Sequence, residues 1–341
     1  MKKIGLIILI LLSVNAMAQQ DAHWSHYTFN QLYYNPGYTG VEPLSRATFI
    51  HRTQWLNYKG LDPGGAPSTQ MLSFSHPLKI NKSYFNNAGT GGYITYDRLG
   101  PYKALTAKAS FAYQIRLKND GVISTGLRVG ILSQGIDGSI LRARDADDDV
   151  VDQLKIAGKT NQIRPDFGAG VWYNTTKFFA GISVSHLSAA TFDYGIGAIN
   201  SRQARHLYLQ GGYFVGLSQD IRLMPNALVQ SDFSETSFNY GVVADFQKYK
   251  YWGGLSFRQS ISDKVVGAEG KRLRNDDIVI LLGVSLLQNK ALRIGYAFDW
   301  VTQGSSAKQK TSHEIMMSYV LPFNNSDKFV PLKSPRYRKV E

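Results

Sequence analysis

Seven histidines, His23, His26, His51, His76, His186, His206 and His313, are the residues of this chain best suited to acid–base or metal chemistry. Their spacing supports neither. No pair falls in HExxH or another ligand pattern. His313 and Glu314 are neighbours, and a strand sends neighbours to opposite faces. The chain has no cysteine, which excludes disulfides, thiol catalysis and thiolate-bound metal. A GxSxG elbow and a phosphate-binding P-loop are also absent. The densest set of possible ligands is acidic: Asp145, Asp147, Asp148, Asp149 and Asp152. Carboxylates at that density are calcium chemistry, but no glycine stands at the sixth position and no glutamate closes the loop. The stretch therefore reads as a solvated acidic loop. No catalytic residue, cofactor or metal is assigned, and the chain reads as a non-enzyme. The one enzymatic route left is an outer-membrane acyl hydrolase that takes its serine and histidine from different strands.

Aromatic and basic residues carry the remaining chemistry, which is binding. Residues 21–40 contain Trp24, Tyr27, Phe29, Leu32, Tyr33, Tyr34 and Tyr38, with the turn signal Asn35-Pro36-Gly37. So many aromatics do not stand uncovered in water. This segment is expected to pack at the mouth of a larger body or inside it, as a plug or a docking element. Arg52-Thr53-Gln54-Trp55 opens an ordered-looking loop. Residues 324–341 carry Lys328, Lys333, Arg336, Arg338 and Lys339 against Asp327 and Glu341, a basic tail. The candidate partner-binding residues are Trp24, Tyr27, Phe29, Tyr34, Arg52, Trp55, Arg336 and Arg338.

The elements that must position these residues are strands. Segments of roughly ten residues alternate apolar and polar side chains over most of the chain, a transmembrane barrel pattern. Fourteen candidate strands can be marked, the first over 44–54 and the last over 312–321. On the fourth, over 102–117, Leu105, Ala107, Ala109, Phe111, Tyr113, Ile115 and Leu117 share one face; Thr106, Lys108, Ser110, Gln114 and Arg116 share the other. On the thirteenth, Leu292, Ile294, Tyr296, Phe298 and Trp300 oppose Arg293, Gly295, Ala297 and Asp299. A charge facing lipid at the midplane costs about 2–4 kcal/mol, so the charged face is the lumen. The twelfth strand is apolar on both faces from Ile278 to Leu282, which fits packing against something inside. Gaps after strands four, six, eight, ten and twelve are short. Gaps after one, five, seven, eleven and thirteen are longer, and that after five runs from 134 to 164. Short periplasmic turns and long outer loops explain the parity, with the mature N-terminus and the C-terminus in the periplasm.

The first residues are a secretory leader: Lys2 and Lys3, the apolar run Ile4 to Leu12, then Ala16-Met17-Ala18. Cleavage after Ala18 lowers the net charge from +13 to +11, since 36 basic and 25 acidic residues remain. In an exported barrel this basic balance meets lipid headgroups or acidic partners rather than nucleic acid. The expected organisation is a signal peptide (1–18), an aromatic plug or docking segment (19–43), an all-β antiparallel up-and-down barrel in the outer membrane (44–323) and a basic periplasmic tail (324–341). A soluble sandwich rarely needs so many strands with this parity, and a propeller would show a shared repeat that is absent here.

Several motifs resemble the PorP/SprF family of Bacteroidota. They are Phe29-Asn30, Tyr34-Asn35-Pro36-Gly37-Tyr38-Thr39-Gly40, Arg52-Thr53-Gln54-Trp55, Asp97-Arg98-Leu99-Gly100-Pro101, Ser312-His313-Glu314-Ile315 and the tail near Ser334-Pro335-Arg336. The resemblance covers the whole mature chain. It implies an outer-membrane barrel of the type IX secretion system without catalytic residues. Its implied partners are periplasmic machinery components or a large secreted adhesin, as in gliding bacteria. The alternative is a small-solute porin or transporter that selects anions with lumen residues such as Lys108, Arg116 and Arg293.

Overall fold

The structure is a computed structural model and describes residues 21–56, 65–78, 87–117, 121–141, 149–193, 200–266, 271–287, 290–303 and 311–321. The expected leader (1–18) and the basic tail with Arg336 and Arg338 lie outside the described residues. Fourteen strands close into one antiparallel barrel. They are β1 (Arg46–Thr53), β2 (Ser68–Leu78), β3 (Ala88–Leu99), β4 (Tyr102–Arg116), β5 (Val122–Asp137), β6 (Lys159–Asn174), β7 (Phe178–Ser185), β8 (His206–Tyr213), β9 (Arg222–Ser231), β10 (Glu235–Phe246), β11 (Tyr251–Val266), β12 (Lys271–Leu286), β13 (Leu292–Gln303) and β14 (Ser312–Val320). Each pairs with its neighbours in sequence. β1 also pairs with β14, from Arg46↔Val320 to Thr53↔His313, so no edge is left open.

Alternation sorts the faces as the sequence suggests. On β4, Leu105, Phe111, Tyr113 and Ile115 are exposed while Lys108, Ser110, Ala112 and Gln114 are buried. On β13, Ile294, Tyr296 and Trp300 face out while Ala297 and Asp299 face in. Exposed large apolar side chains occur on almost every strand, a belt that hydrocarbon solvates and water would not. β12 is apolar on both faces because both are dry. Ile280 and Leu282 face lipid, while Val279 and Leu281 join the interior cluster around Trp24, Tyr27 and Tyr34.

Two expected loops are largely strand. The β5–β6 ladder continues to Asp137↔Lys159, and the β11–β12 ladder to Val266↔Lys271 with a register shift between Ile261 and Val265. On the β5 extension Leu132, Ser133, Gln134 and Asp137 are all buried, and Leu132 packs with Phe192, so the apolar–polar alternation disappears there although the backbone ladder persists. The remaining β5–β6 connection holds a 3₁₀ turn, Gly138–Ile140, and a helix, α1 (Asp149–Ala157). Asp145, Asp147 and Asp148 of the acidic loop lie outside the described residues; Asp152 pairs with Lys155 of its own helix at 3.1 Å. Leu99 pairs directly with Tyr102, which makes Gly100-Pro101 a two-residue hairpin loop. Gly100 has φ +57°, as glycine at the first central position of such turns allows.

Residues 21–45 run through the lumen. Asn35-Pro36 stops any strand, since proline fixes φ and lacks a donor. The segment folds instead as three single turns, Tyr27–Phe29, Gln31–Tyr34 and Pro36–Tyr38. It begins at the loop end of the barrel, where Asp21 meets His186 after β7, His206 on β8 and Gln230 on β9. It ends at Ser45, below β1 at the end with the short turns. Asp21 therefore lies at the loop end and the start of β1 at the end with the short turns, because the plug traverses the lumen before the first strand.

Leu127 lies outward near the middle of β5, and Ile163 lies outward on the extension of β6. In lipid vesicles, Leu127→Arg is expected to lower the unfolding free energy by about 2–4 kcal/mol, and Ile163→Arg by about 0–1 kcal/mol. Urea titration followed by tryptophan fluorescence measures both.

Candidate functional site

Charged side chains withdrawn from water need partners, and the plug supplies many of them. Near the loop end, Arg52 of β1, Arg258 of β11, Asp299 of β13 and Glu314 of β14 are all buried and converge on Ser25 and His26. Arg52 lies 2.6 Å from Asp299 and 3.3 Å from Glu314. Arg258 lies 3.0 Å from Asp299 and 3.3 Å from Asp277 of β12. Ser25 Oγ donates to Asp299 at 2.6 Å and accepts from Arg52 at 2.6 Å. The Glu314 carboxylate accepts the backbone N–H of Ser25 and that of His26, each at 2.8 Å, and meets His26 Nδ1 at 2.7 Å. These amides stand at the start of a helical turn, where no intrahelical acceptor exists. One strand carboxylate therefore caps the plug backbone and neutralises Arg52.

The second turn, Gln31–Tyr34, is held by Arg128 of β5. Its guanidinium donates to the Tyr33 carbonyl at 2.8 Å and to the Leu32 carbonyl, and lies 4.8 Å from the Tyr93 ring centre. A cation on carbonyls that a terminating helical turn leaves free is favourable. Asn35 then ties the plug to two adjacent strands. Its side-chain amide donates to the carbonyls of Val171 at 3.0 Å and Ile182 at 3.2 Å, and its oxygen accepts from Gly37 N at 2.8 Å. Gly170 and Gly181 leave the room: a Cβ on either would fall inside contact distance of the Asn35 side chain. Aromatic pairs fill the space between these anchors. Tyr34 meets Tyr208 at 5.3 Å, Tyr38 meets Trp172 at 5.0 Å and Phe29 meets Trp252 at 4.5 Å between ring centres.

Above the plug, at the loop end, lies a vestibule of about 580 Å³ lined by Asp21, His23, Arg52, Trp55, Gln134 and Arg258 among others. A separate void beside Phe29, Glu42 and Arg46 measures about 20 Å³, room for one water and no solute. Lys108, expected as an anion-selecting lumen charge, lies 2.5 Å from Asp166 and is neutralised. Arg116 is exposed at the turn end of β4, and Arg293 lies over the Phe29 ring at 5.8 Å.

The structure brings most of the sequence-derived candidates together, as parts of the plug and its seat. Trp24, Tyr27 and Tyr34 are sealed between plug and wall and touch no outside molecule while the plug is seated. Phe29 is half-buried towards the turn end. Arg52 belongs to the ionic tier, and Trp55 lines the vestibule with φ +51°. Arg336 and Arg338 lie outside the described residues. Sequence reasoning missed Ser25, Arg128, Arg258, Asp299 and Glu314 as a set. The available signal was opposite charges on lumen faces of strands that pair, Arg52 opposite Glu314 and Arg258 opposite Asp277.

Removing one member of a buried ion pair costs about 3–5 kcal/mol. Glu314→Ala also orphans two plug amides, so it is expected to unseat the plug without opening the strand ladders. In planar bilayers the wild type should be silent and Glu314→Ala should show open-channel conductance, with an unchanged β circular dichroism spectrum.

The sequence profile of the family described as "Type IX secretion system membrane protein PorP/SprF" matches residues 16–319. No curated protein sequence matches the chain. Among solved structures, the chain is similar to the CymD monoaromatic hydrocarbon channel, with TM-score 0.51 and 10% identity over 87% of this chain and 94% of that one. It is also similar to a Pseudomonas aeruginosa FadL homologue, with TM-score 0.44 and 10% identity over 81% of this chain and 90% of that one. At such identity these likenesses concern the fold alone. The family match spans nearly the whole barrel and includes the plug with its anchors Asn35, Arg52 and Glu314: the chain belongs to the PorP/SprF family of type IX secretion system membrane proteins, as an outer-membrane β-barrel.

Proposed function

We propose that this barrel serves type IX secretion as a closed, non-enzymatic accessory or anchor. In this role it binds a secreted protein of the large adhesin kind used in gliding, or periplasmic components of the machinery, for export or surface attachment. The observation that carries the proposal is the filled lumen. The chain's own N-terminal segment occupies it, held by Arg52, Arg128, Arg258 and Glu314, and the void beside Phe29 beneath the vestibule measures only about 20 Å³. A wall fixed shut by buried ion pairs suits attachment better than conduction. Two surfaces are offered to partners. At the loop end, the β5–β6 and β11–β12 hairpins extend well beyond the first strand-pair heights. At the turn end Phe29 is half-buried, and β14 ends there at Val320.

The vestibule of about 580 Å³ favours one second reading, a small-solute porin or transporter whose plug shifts during uptake. Deletion of the gene separates the two. The accessory role predicts a secreted or surface-displayed substrate that is no longer exported or retained, with small-solute uptake unchanged. Normal secretion and display in a strain without a paralogue, together with slowed uptake of one solute, would overturn the accessory role.

A further inference from the structure

His186 follows β7, His206 opens β8 and Asp21 begins the described plug; 165 residues separate Asp21 from His186, so no sequence spacing announces the group. The fold gathers them so tightly that one ligand atom from each lies within 4.8 Å of the others. His186 Nε2 is 2.9 Å from Asp21 Oδ1 and 3.0 Å from Oδ2. His206 Nε2 lies 3.2 Å from the Asp21 backbone nitrogen. A polar group stands behind each imidazole, at ion-pair distance for His186 and hydrogen-bonded for His206. His186 Nδ1 is 2.8 Å from the Asp166 carboxylate, and His206 Nδ1 is 3.1 Å from the Ala204 carbonyl. A carbonyl only accepts, so the His206 proton sits on Nδ1 and its Nε2 carries the lone pair. His186 turns its other nitrogen to the Asp21 carboxylate, and His206 Nε2 accepts the Asp21 backbone N–H, a contact a bound ion would replace. Imidazoles with a carboxylate and a carbonyl behind them have the outer-shell pattern of metal-binding histidines. His186 is also held at φ +58°, a region non-glycine residues seldom adopt and one that recurs at ligand clamps.

We propose that Asp21, His186 and His206 bind a divalent transition-metal ion of the zinc class, with a further coordination position facing the outer vestibule. Two imidazoles and one carboxylate suit zinc and its neighbours; calcium and magnesium prefer all-oxygen sets. Asp21 and His186 line the vestibule, which gives the ion an entry path. The site lies beside the start of the plug, and a bound ion would staple that start to β7 and β8. The proposal is independent of the secretion role. Its competitor is a purely protonic arrangement, in which Asp21, His186, Asp166 and Lys108 form an alternating chain of buried charges.

The test uses the full mature protein in detergent, stripped with a chelator and then given zinc or cobalt(II). One equivalent is expected to survive desalting and to raise the unfolding temperature, and cobalt should give the intense visible bands of a low-coordinate site with nitrogen ligands. His206→Gln should abolish both the bound equivalent and the zinc-dependent rise. Asp166→Asn should weaken binding by about 10–100-fold. His51→Gln, on the wall of β1, should bind as the wild type does. If His206→Gln does not fold, X-ray absorption of the zinc-loaded wild type decides: a shell with two imidazoles supports the site, and an all-oxygen shell overturns it. A wild type that retains no stoichiometric metal, or a His206→Gln protein that binds equally well, also overturns it.

Discussion

A carboxylate enclosed in a barrel has no water to solvate it, and Glu314 is entirely buried. Everything that makes this lumen closed follows from how that demand is met. Glu314 takes two plug amides, the His26 ring and the Arg52 guanidinium. Arg52 reaches Asp299, and Asp299 reaches Arg258. Each charge is satisfied by the next, and Ser25 of the plug stands in the middle. Strand and plug are therefore conditional on one another: without the plug, two arginines and their carboxylates would face an open lumen. The arrangement has the two-sided character of buried ion pairs. Its net contribution to stability is small, while the penalty for breaking it is large, so it acts as a latch.

Below the latch, the energetic logic changes from charge to area. Trp24, Tyr33, Tyr34, Tyr38, Trp172, Tyr208 and Trp252 bury broad ring faces, and Val279 and Leu281 supply an apolar wall. Backbone approaches backbone where glycine permits. Gly40, at φ +67°, lies so close to Gly89 that a Cβ on Gly89 would clash with the Thr39 carbonyl. The plug thus has an ionic upper end facing the vestibule and an aromatic body beneath it. Three of the motifs that carry the family resemblance sit at its fastenings: Asn35 in the turn signal, Arg52 before Trp55, and Glu314 after His313.

Much of this was legible in the chain. The lipid-facing and lumen-facing sets on β4 and β13 follow from alternation, because a period of two is imposed by the pleat and a charge cannot face hydrocarbon. The doubly apolar stretch of β12 correctly indicated something inside the barrel. The aromatic block was recognisable as buried, since no other disposition covers so many rings. The extensions of β5, β6, β11 and β12 were not legible, because their sequences do not alternate apolar and polar residues although the backbone ladder continues. The anchoring roles of Arg128, Asp299 and Glu314 were hidden for another reason: on a strand each is simply a polar residue on the lumen side, and its partner is hundreds of residues away or on a segment with no regular period.

The sequence by itself determined a strand-built wall and an aromatic segment that had to be covered. Those properties depend on neighbours within ten or so residues and on the solvent each face meets, both of which are written locally. Only the tertiary structure decided that the N-terminal segment runs through the lumen, which charges hold it there, and that Asp21 meets His186 and His206 at the loop end. Those outcomes depend on barrel closure, which sets strands far apart in sequence at one height around a common axis. No local pattern encodes that circumference.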